Sequence, residues 1–210
     1  MMQYSTGAFT DCLATLGTHA IAPKAFERVT RCMRAAGALP ETKRGRGATQ
    51  YDSASAISAT LGCLLGPSDT KAAATVTAIR SLELTGTYVN PLSNEPGTTF
   101  EDTARSAFDH LRPIVADSTK LLTAGSALDA IVEAMRLGLV PDPRRVVIEF
   151  YDRDRMVNIY LDGHPTEQSV CLTYGTPRPF DALQNIFRIN GRALQRIADA
   201  LGPMTIPPPY

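Results

Sequence analysis

The chain has little of the equipment that catalysis uses. Its 210 residues include three histidines, His19, His110 and His164, far apart and without metal-binding spacing such as H-E-x-x-H. There is no G-x-S-x-G, no phosphate loop and no dinucleotide fingerprint. The pair Gly45 and Gly47 lacks the preceding strand that a nucleotide site needs. Asp152 and Asp154 sit beside Arg153 and Arg155 at an expected hairpin tip, where mutual screening at the surface accounts for them. The expectation is no catalytic residue, no metal and no cofactor. Cysteine is also sparse. Cys12, Cys32, Cys63 and Cys171 form no C-x-x-C pair, and the first three fall on or beside apolar helical stripes, which suggests buried free thiols in a reducing cytosol. No stretch approaches eighteen apolar residues, and the N-terminus lacks the charged-then-apolar pattern of a signal peptide. A cytoplasmic protein without a membrane partner is expected.

Net charge is absent too, with 21 basic and 21 acidic side chains, but the balance is not local. Residues 1–66 carry seven positive and four negative side chains, residues 67–143 six and ten, and residues 144–210 eight and seven. All seven positive residues of the first part lie between Lys24 and Arg46, against only Glu27 and Glu41 in that stretch. This stretch opens as a helix. Pro23 suits a first helical position, where its missing N–H is no loss. Phe26, Val29, Met33 and Ala36 give one apolar face, with Lys24, Arg28, Arg31 and Arg34 largely off it. Gly37 can take the left-handed position after the helix, and Leu39-Pro40 stops it. A cationic, glycine-containing loop follows, with Lys43, Arg44 and Arg46, and Gln50 close behind. A basic helix followed by a basic loop can place charge along a polyanion. The bland alternative is a solvated helix face and a flexible surface loop, with Gly45 and Gly47 serving turn geometry.

The order around this stretch is short helix (5–17), turn, basic helix, loop (41–50), then a helix capped by Asp52 or Ser53 with Ile57, Leu61, Leu64 and Leu65 inward. That is the order of a winged helix-turn-helix, whose second helix enters the major groove. From about Phe9 to Leu65 the chain resembles the MerR-type winged helix. Arg31 stands six residues before Gly37, Leu39-Pro40 follows, Arg44-Gly45-Arg46-Gly47 is wing-like, and Tyr51 stands near the tyrosine that closes the family's wing. Cys32 and Met33 occupy the place of the family's aromatic pair, and Ala38 that of its leucine. The resemblance implies phosphate contact by Arg31 and the wing arginines.

Beyond this, residues 67–85 read as a helix capped by Ser68 or Asp69, with Ala72, Val76, Ile79 and Leu82 on one face. The Gly-, Pro- and Asn-rich residues 86–98 read as a linker. Helices open at Thr99-x-x-Asp102 and at Ser126-x-x-Asp129, the second ending at Gly138. Residues 145–174 then change to period two, hence strands. Pairing Phe150 with Val157, Ile148 with Ile159 and Val146 with Leu161 puts six apolar side chains on one face, and pairing Leu161 with Val170 adds a third strand. The helical region from Phe180 to Leu201 supplies Leu183, Ile186, Phe187, Leu194 and Ile197 as cover. Tyr151 and Tyr160 project to the opposite face.

The expected fold is α+β: a mostly helical winged helix-turn-helix domain (1–85), a linker (86–98), a helical region with a three-stranded antiparallel meander packed by a C-terminal helix (99–202) and a Pro-rich tail (203–210). The expected function is a sequence-specific transcriptional regulator of prokaryotic or phage type, binding double-stranded DNA as a homodimer, since one recognition helix reads too few bases. Its DNA-binding residues would be Lys24, Arg28, Arg31, Arg34, Lys43, Arg44, Arg46 and Gln50. No effector can be named. The alternatives are a phage-type interaction protein that binds a host protein or ribonucleoprotein complex, and an enzyme built around His164 with Asp162 or Asp154.

Overall fold

The computed structural model describes residues 23–41, 51–66, 68–89, 121–140, 142–151, 156–161, 170–176 and 186–202. They form five helices and a five-stranded antiparallel sheet. Helix α1 is Pro23–Ala35, α2 Ser53–Leu65 and α3 Ala72–Arg80; strand β1, Leu84–Val89, follows. Helix α4 is Ala124–Arg136. A short 3-10 turn, Pro143–Arg145, leads into β2, Val146–Tyr151; then come β3, Met156–Leu161, β4, Val170–Tyr174, β5, Ile186–Asn190, and helix α5, Gly191–Leu201. The strand order is β1-β4-β3-β2-β5.

The α+β class and the central meander are as expected. Phe150 pairs with Val157, Ile148 with Ile159, Val146 with Leu161 and Leu161 with Val170. The sheet, however, has five strands rather than three. Leu84–Val89 pairs antiparallel with β4, so the chain leaves the helical stretch of 67–85 early, and the described part of 86–98 is strand instead of linker. Gly86 sits at a register shift in a strand that otherwise carries Thr85, Thr87, Tyr88 and Val89, all good strand formers. At the other edge, Ile186–Asn190 is β5, paired with β2, where the first part of a helical region that Asn190-Gly191 could divide was expected; the helix does begin at Gly191, capped by Asn190. Five residues with three apolar ones fit either period, and here the free edge of β2 decides.

Alternation in the strands gives the sheet two different faces. Val146, Ile148 and Phe150, with Val157, Ile159 and Leu161, are buried on the face toward the helices, as are Leu172 and Tyr174. Leu194 and Ile197 of α5 cover this face as expected; Phe187 is packed against the core from β5, while Ile186 is half exposed at the edge. Leu183 lies outside the described residues, as do the expected helices at 5–17 and from Thr99, and the tail 203–210. Helix α5 packs on β2, β5, α4 and α2.

Helix α2 is the hub of the helical layer, touched by α1, α3, α4 and α5. Its sequence, SASAISATLGCLL, explains why: serines, alanines and Gly62 keep it thin, so neighbours approach from several sides. Asp52 caps it, accepting from the Ser55 amide at 2.7 Å. The buried Thr60 hydroxyl donates to the Ala56 carbonyl at 2.9 Å, satisfying a polar group that has no water. One apolar core runs from Phe26 on α1 through Ile57 on α2 and Leu128 on α4 to Ile148 and Ile197. The boundary drawn at 85/86 therefore falls inside a strand of this shared structure.

Two further starts differ from expectation. Helix α3 begins after Lys71, without a side-chain cap from Ser68 or Asp69. Helix α4 is opened by a capping box between Thr123 and Ser126. This frees Asp129 for a two-pronged pair with Arg80 of α3, at 3.0 and 2.6 Å. Beside the box, the Leu84 amide donates to the Leu122 carbonyl and the Ala124 amide to the Leu82 carbonyl, at 3.0 and 2.9 Å, which ties the exit of α3 to the entry of α4. At the last corner, Asn190 caps α5, and a Cβ on Gly191 would overlap the Pro143 carbonyl, so only glycine fits.

Candidate nucleic-acid interface

Helix α1 is held by its apolar face. Phe26, Val29 and Met33 are buried against the core, and Leu39 is buried just after the helix; Ala36, expected on this face, is exposed. The helix ends in a Schellman turn. Gly37 has φ 73°, its amide donates to the Arg34 carbonyl, and the Ala38 amide donates to the Met33 carbonyl, both at 2.9 Å. The buried face fixes which side chains meet water. Lys24, Arg28 and Arg31 are exposed. They stand at i, i+4 and i+7, so they share one stripe that extends about 10 Å along the axis. Arg34, expected off the apolar face with them, is half-buried and is not part of this stripe.

The trio does not stand alone. Arg28 Nε donates to Asp69 Oδ2 at 2.8 Å, and Arg31 Nη2 donates to Glu27 Oε1 at 3.1 Å. The Arg31 pair leaves its side chains 71% and 68% exposed, and the Arg28 pair 64% and 34%. Pairs this open to water contribute ~0–1 kcal/mol and exchange readily for another anion. Three cations against two carboxylates leave a net positive stripe with replaceable partners. Arg34 differs. It is half-buried and donates to Thr30 Oγ1 and to the Tyr51 hydroxyl, each at 3.3 Å. Lys43, Arg44, Arg46 and Gln50 lie outside the described residues.

Comparison with protein-family models, with curated proteins and with solved structures gives no match.

A second polar cluster sits on the sheet face that points away from the helices. Glu149, in the middle of β2, is buried although Val147, Tyr151 and Asn158 on that face are only half-buried and Arg188 is exposed. Arg188 of β5, its cross-strand partner, donates to Oε1 through Nη2 and, at 3.0 Å, through Nε. The Tyr151 hydroxyl donates to Oε2 at 2.9 Å. Burial pushes the Glu149 carboxyl up, but the hydrogen bonds from Arg188 and Tyr151 and the arginine charge outweigh it and hold the group below the usual carboxylate range. Burial raises the Tyr151 and Tyr160 hydroxyls. With both carboxylate oxygens engaged, this cluster is a built pin of the sheet. The sequence carried no sign of it, because Arg188 reaches Glu149 only if 186–190 is a strand.

Two of the thiols are held in the neutral form by their surroundings. Cys32 and Cys63 are half-buried and Cys171 is buried, all free. Burial and the Asp69 charge push the Cys63 thiol up to about 12, and burial raises Cys171. Among the described residues no group of three His, Cys, Asp or Glu could hold a metal ion, and no helix is long and apolar enough to cross a membrane. Cys12, the three histidines, Asp152, Asp154 and Asp162 lie outside the described residues.

Proposed function

We propose that the chain is a sequence-specific DNA-binding transcriptional regulator of prokaryotic or phage type, with the winged helix-turn-helix arrangement that its sequence order suggests. The observation that carries the reading is the stripe of Lys24, Arg28 and Arg31 on the water-facing side of a helix whose other side is locked in the core. A helix so fixed presents its cations at constant spacing, which phosphate contacts need for register on a duplex. In this reading α1 lies in or along the major groove and exchanges Glu27 and Asp69 for phosphates. Lys43, Arg44, Arg46 and Gln50 extend the contact to the flanking backbone. Two copies bind paired half-sites, and the cytoplasmic protein acts by occlusion or recruitment at a promoter.

The test is salt-dependent binding to fragments of the upstream DNA, with wild type beside Lys24→Ala, Arg28→Ala and Arg31→Ala. The reading expects one preferred fragment and a log–log salt slope that flattens by about 0.9 per phosphate contact removed. Equal, weak binding to every fragment by all four proteins overturns it.

One observation favours a second reading. Arg28 and Arg31 are each already met by a carboxylate, as an acidic protein surface would meet them. A phage-type interaction protein that docks on a host protein or ribonucleoprotein complex would use the same stripe, and would show no preference among duplex fragments.

A further inference from the structure

Arg34 is the cation of α1 that turns inward, and its surroundings give it a specific job. Thr30, which accepts from its Nη2, is 1% exposed and itself donates to the Phe26 carbonyl at 2.9 Å. Tyr51, the other acceptor, lies seventeen positions later, is half-buried, packs against the core and directly precedes Asp52, the cap of α2. The Arg34 Nε is shielded from water with no acceptor among the described residues, an arrangement poorly suited to a group meant to meet phosphate. The Gly37 turn and the buried Leu39 follow α1, and Tyr51 leads into α2.

We propose that Arg34 and Tyr51 are positioning residues for nucleic-acid binding and not contacts to it. Their hydrogen bond fixes the junction of α1 and α2, and with it the point to which the chain between Glu41 and Tyr51, bearing Lys43, Arg44 and Arg46, must return. The functional part of this inference rests on α1 being the nucleic-acid face.

Tyr51→Phe separates the two roles because it deletes one hydroxyl and no charge. With a preferred duplex as probe, positioning expects Tyr51→Phe and Arg34→Ala each to weaken binding about fivefold with the salt slope unchanged, and the double variant to lose little more. Arg34→Lys, which keeps the charge but not the planar donor, should behave like Arg34→Ala. Direct contact expects the reverse: Tyr51→Phe equal to wild type, Arg34→Lys near wild type, and a flatter slope for Arg34→Ala. That pattern overturns the proposal. Limited trypsin cleavage after Lys43, Arg44 and Arg46 is a second readout that needs no DNA. The proposal expects cleavage about fivefold faster in Tyr51→Phe and Arg34→Ala than in wild type, at a temperature well below the melting temperature of each variant. Equal cleavage rates overturn the junction itself. If wild type binds no duplex but the variants cut faster, the DNA reading fails and the junction stands.

Discussion

Arg31 with Glu27 and Arg188 with Glu149 are the same chemical pair in two settings. On α1 the pair joins side chains one turn apart, both about two-thirds exposed, through a single contact. On the sheet the carboxylate side chain is 6% exposed, two nitrogens of Arg188 reach one oxygen, and a tyrosine takes the other. Water competes for the first pair and is kept from the second. The first is therefore available for exchange with a partner's anion, and the second is part of the fold. Exposure of the carboxylate separates the two, since Arg188 itself is half exposed.

The strongest way to break this contrast is Glu149→Ala. It strands the donors of Tyr151 and Arg188 around a buried gap and should lower unfolding stability by about 2–3 kcal/mol, toward the low end for broken buried pairs because Arg188 can turn to water. Urea unfolding measures it; a loss under about 0.5 kcal/mol would make the sheet pair as slight as the helix pair. Tyr151→Phe removes one hydrogen bond to a charge and should cost about 1–2 kcal/mol by the same assay.

Acid sharpens the comparison. The Glu149 carboxyl is held below its ordinary 4.5, so its stabilisation is complete above that value and fades as pH falls through the lower, folded-state value. The gap in urea midpoint between wild type and Glu149→Gln should therefore narrow on going from neutral pH to about pH 3. A gap constant over that range would remove the carboxylate from the explanation. On α1 the stability effects should nearly vanish: Arg31→Ala is expected within about 0.5 kcal/mol of wild type in the same melt. The smallest effect is also the most pointed. Asp69→Asn frees Arg28 of its competitor and should tighten polyanion binding about two- to threefold at low salt, measured by fluorescence anisotropy. Weaker binding would mean that Asp69 orients Arg28 instead of competing for it.

The parts of the fold legible in the sequence were those with a strong local code. Six alternating apolar residues in 146–161 set the register of β2 and β3, because a slip by one residue would turn them all to water. Gly37 and Asp52 announced a helix end and a helix start through backbone chemistry. The edge strands were hidden because each is short and owes its state to a partner far along the chain: β1 to β4, β5 to β2. At the candidate site, helical spacing placed Lys24, Arg28 and Arg31 off the apolar face, and they are exposed. It also grouped Arg34 with them, since nothing local reveals that Tyr51 will stand within reach.

The strand order carries a consequence for the route by which the chain folds. β2 and β3 are neighbours in sequence and in space, so their hairpin closes a short loop and can form early. β1 must wait: Thr85 meets the Gly175 carbonyl 90 positions later, and β4 reaches its own place only by adding to β3. A nascent chain emerging from the ribosome thus carries β1 unpaired while roughly ninety more residues are made, several seconds at ordinary synthesis rates. The hairpin belongs in the folding nucleus and β1 joins late, which places φ-values near one-half or above at Ile148 and Ile159 and near zero at Thr87.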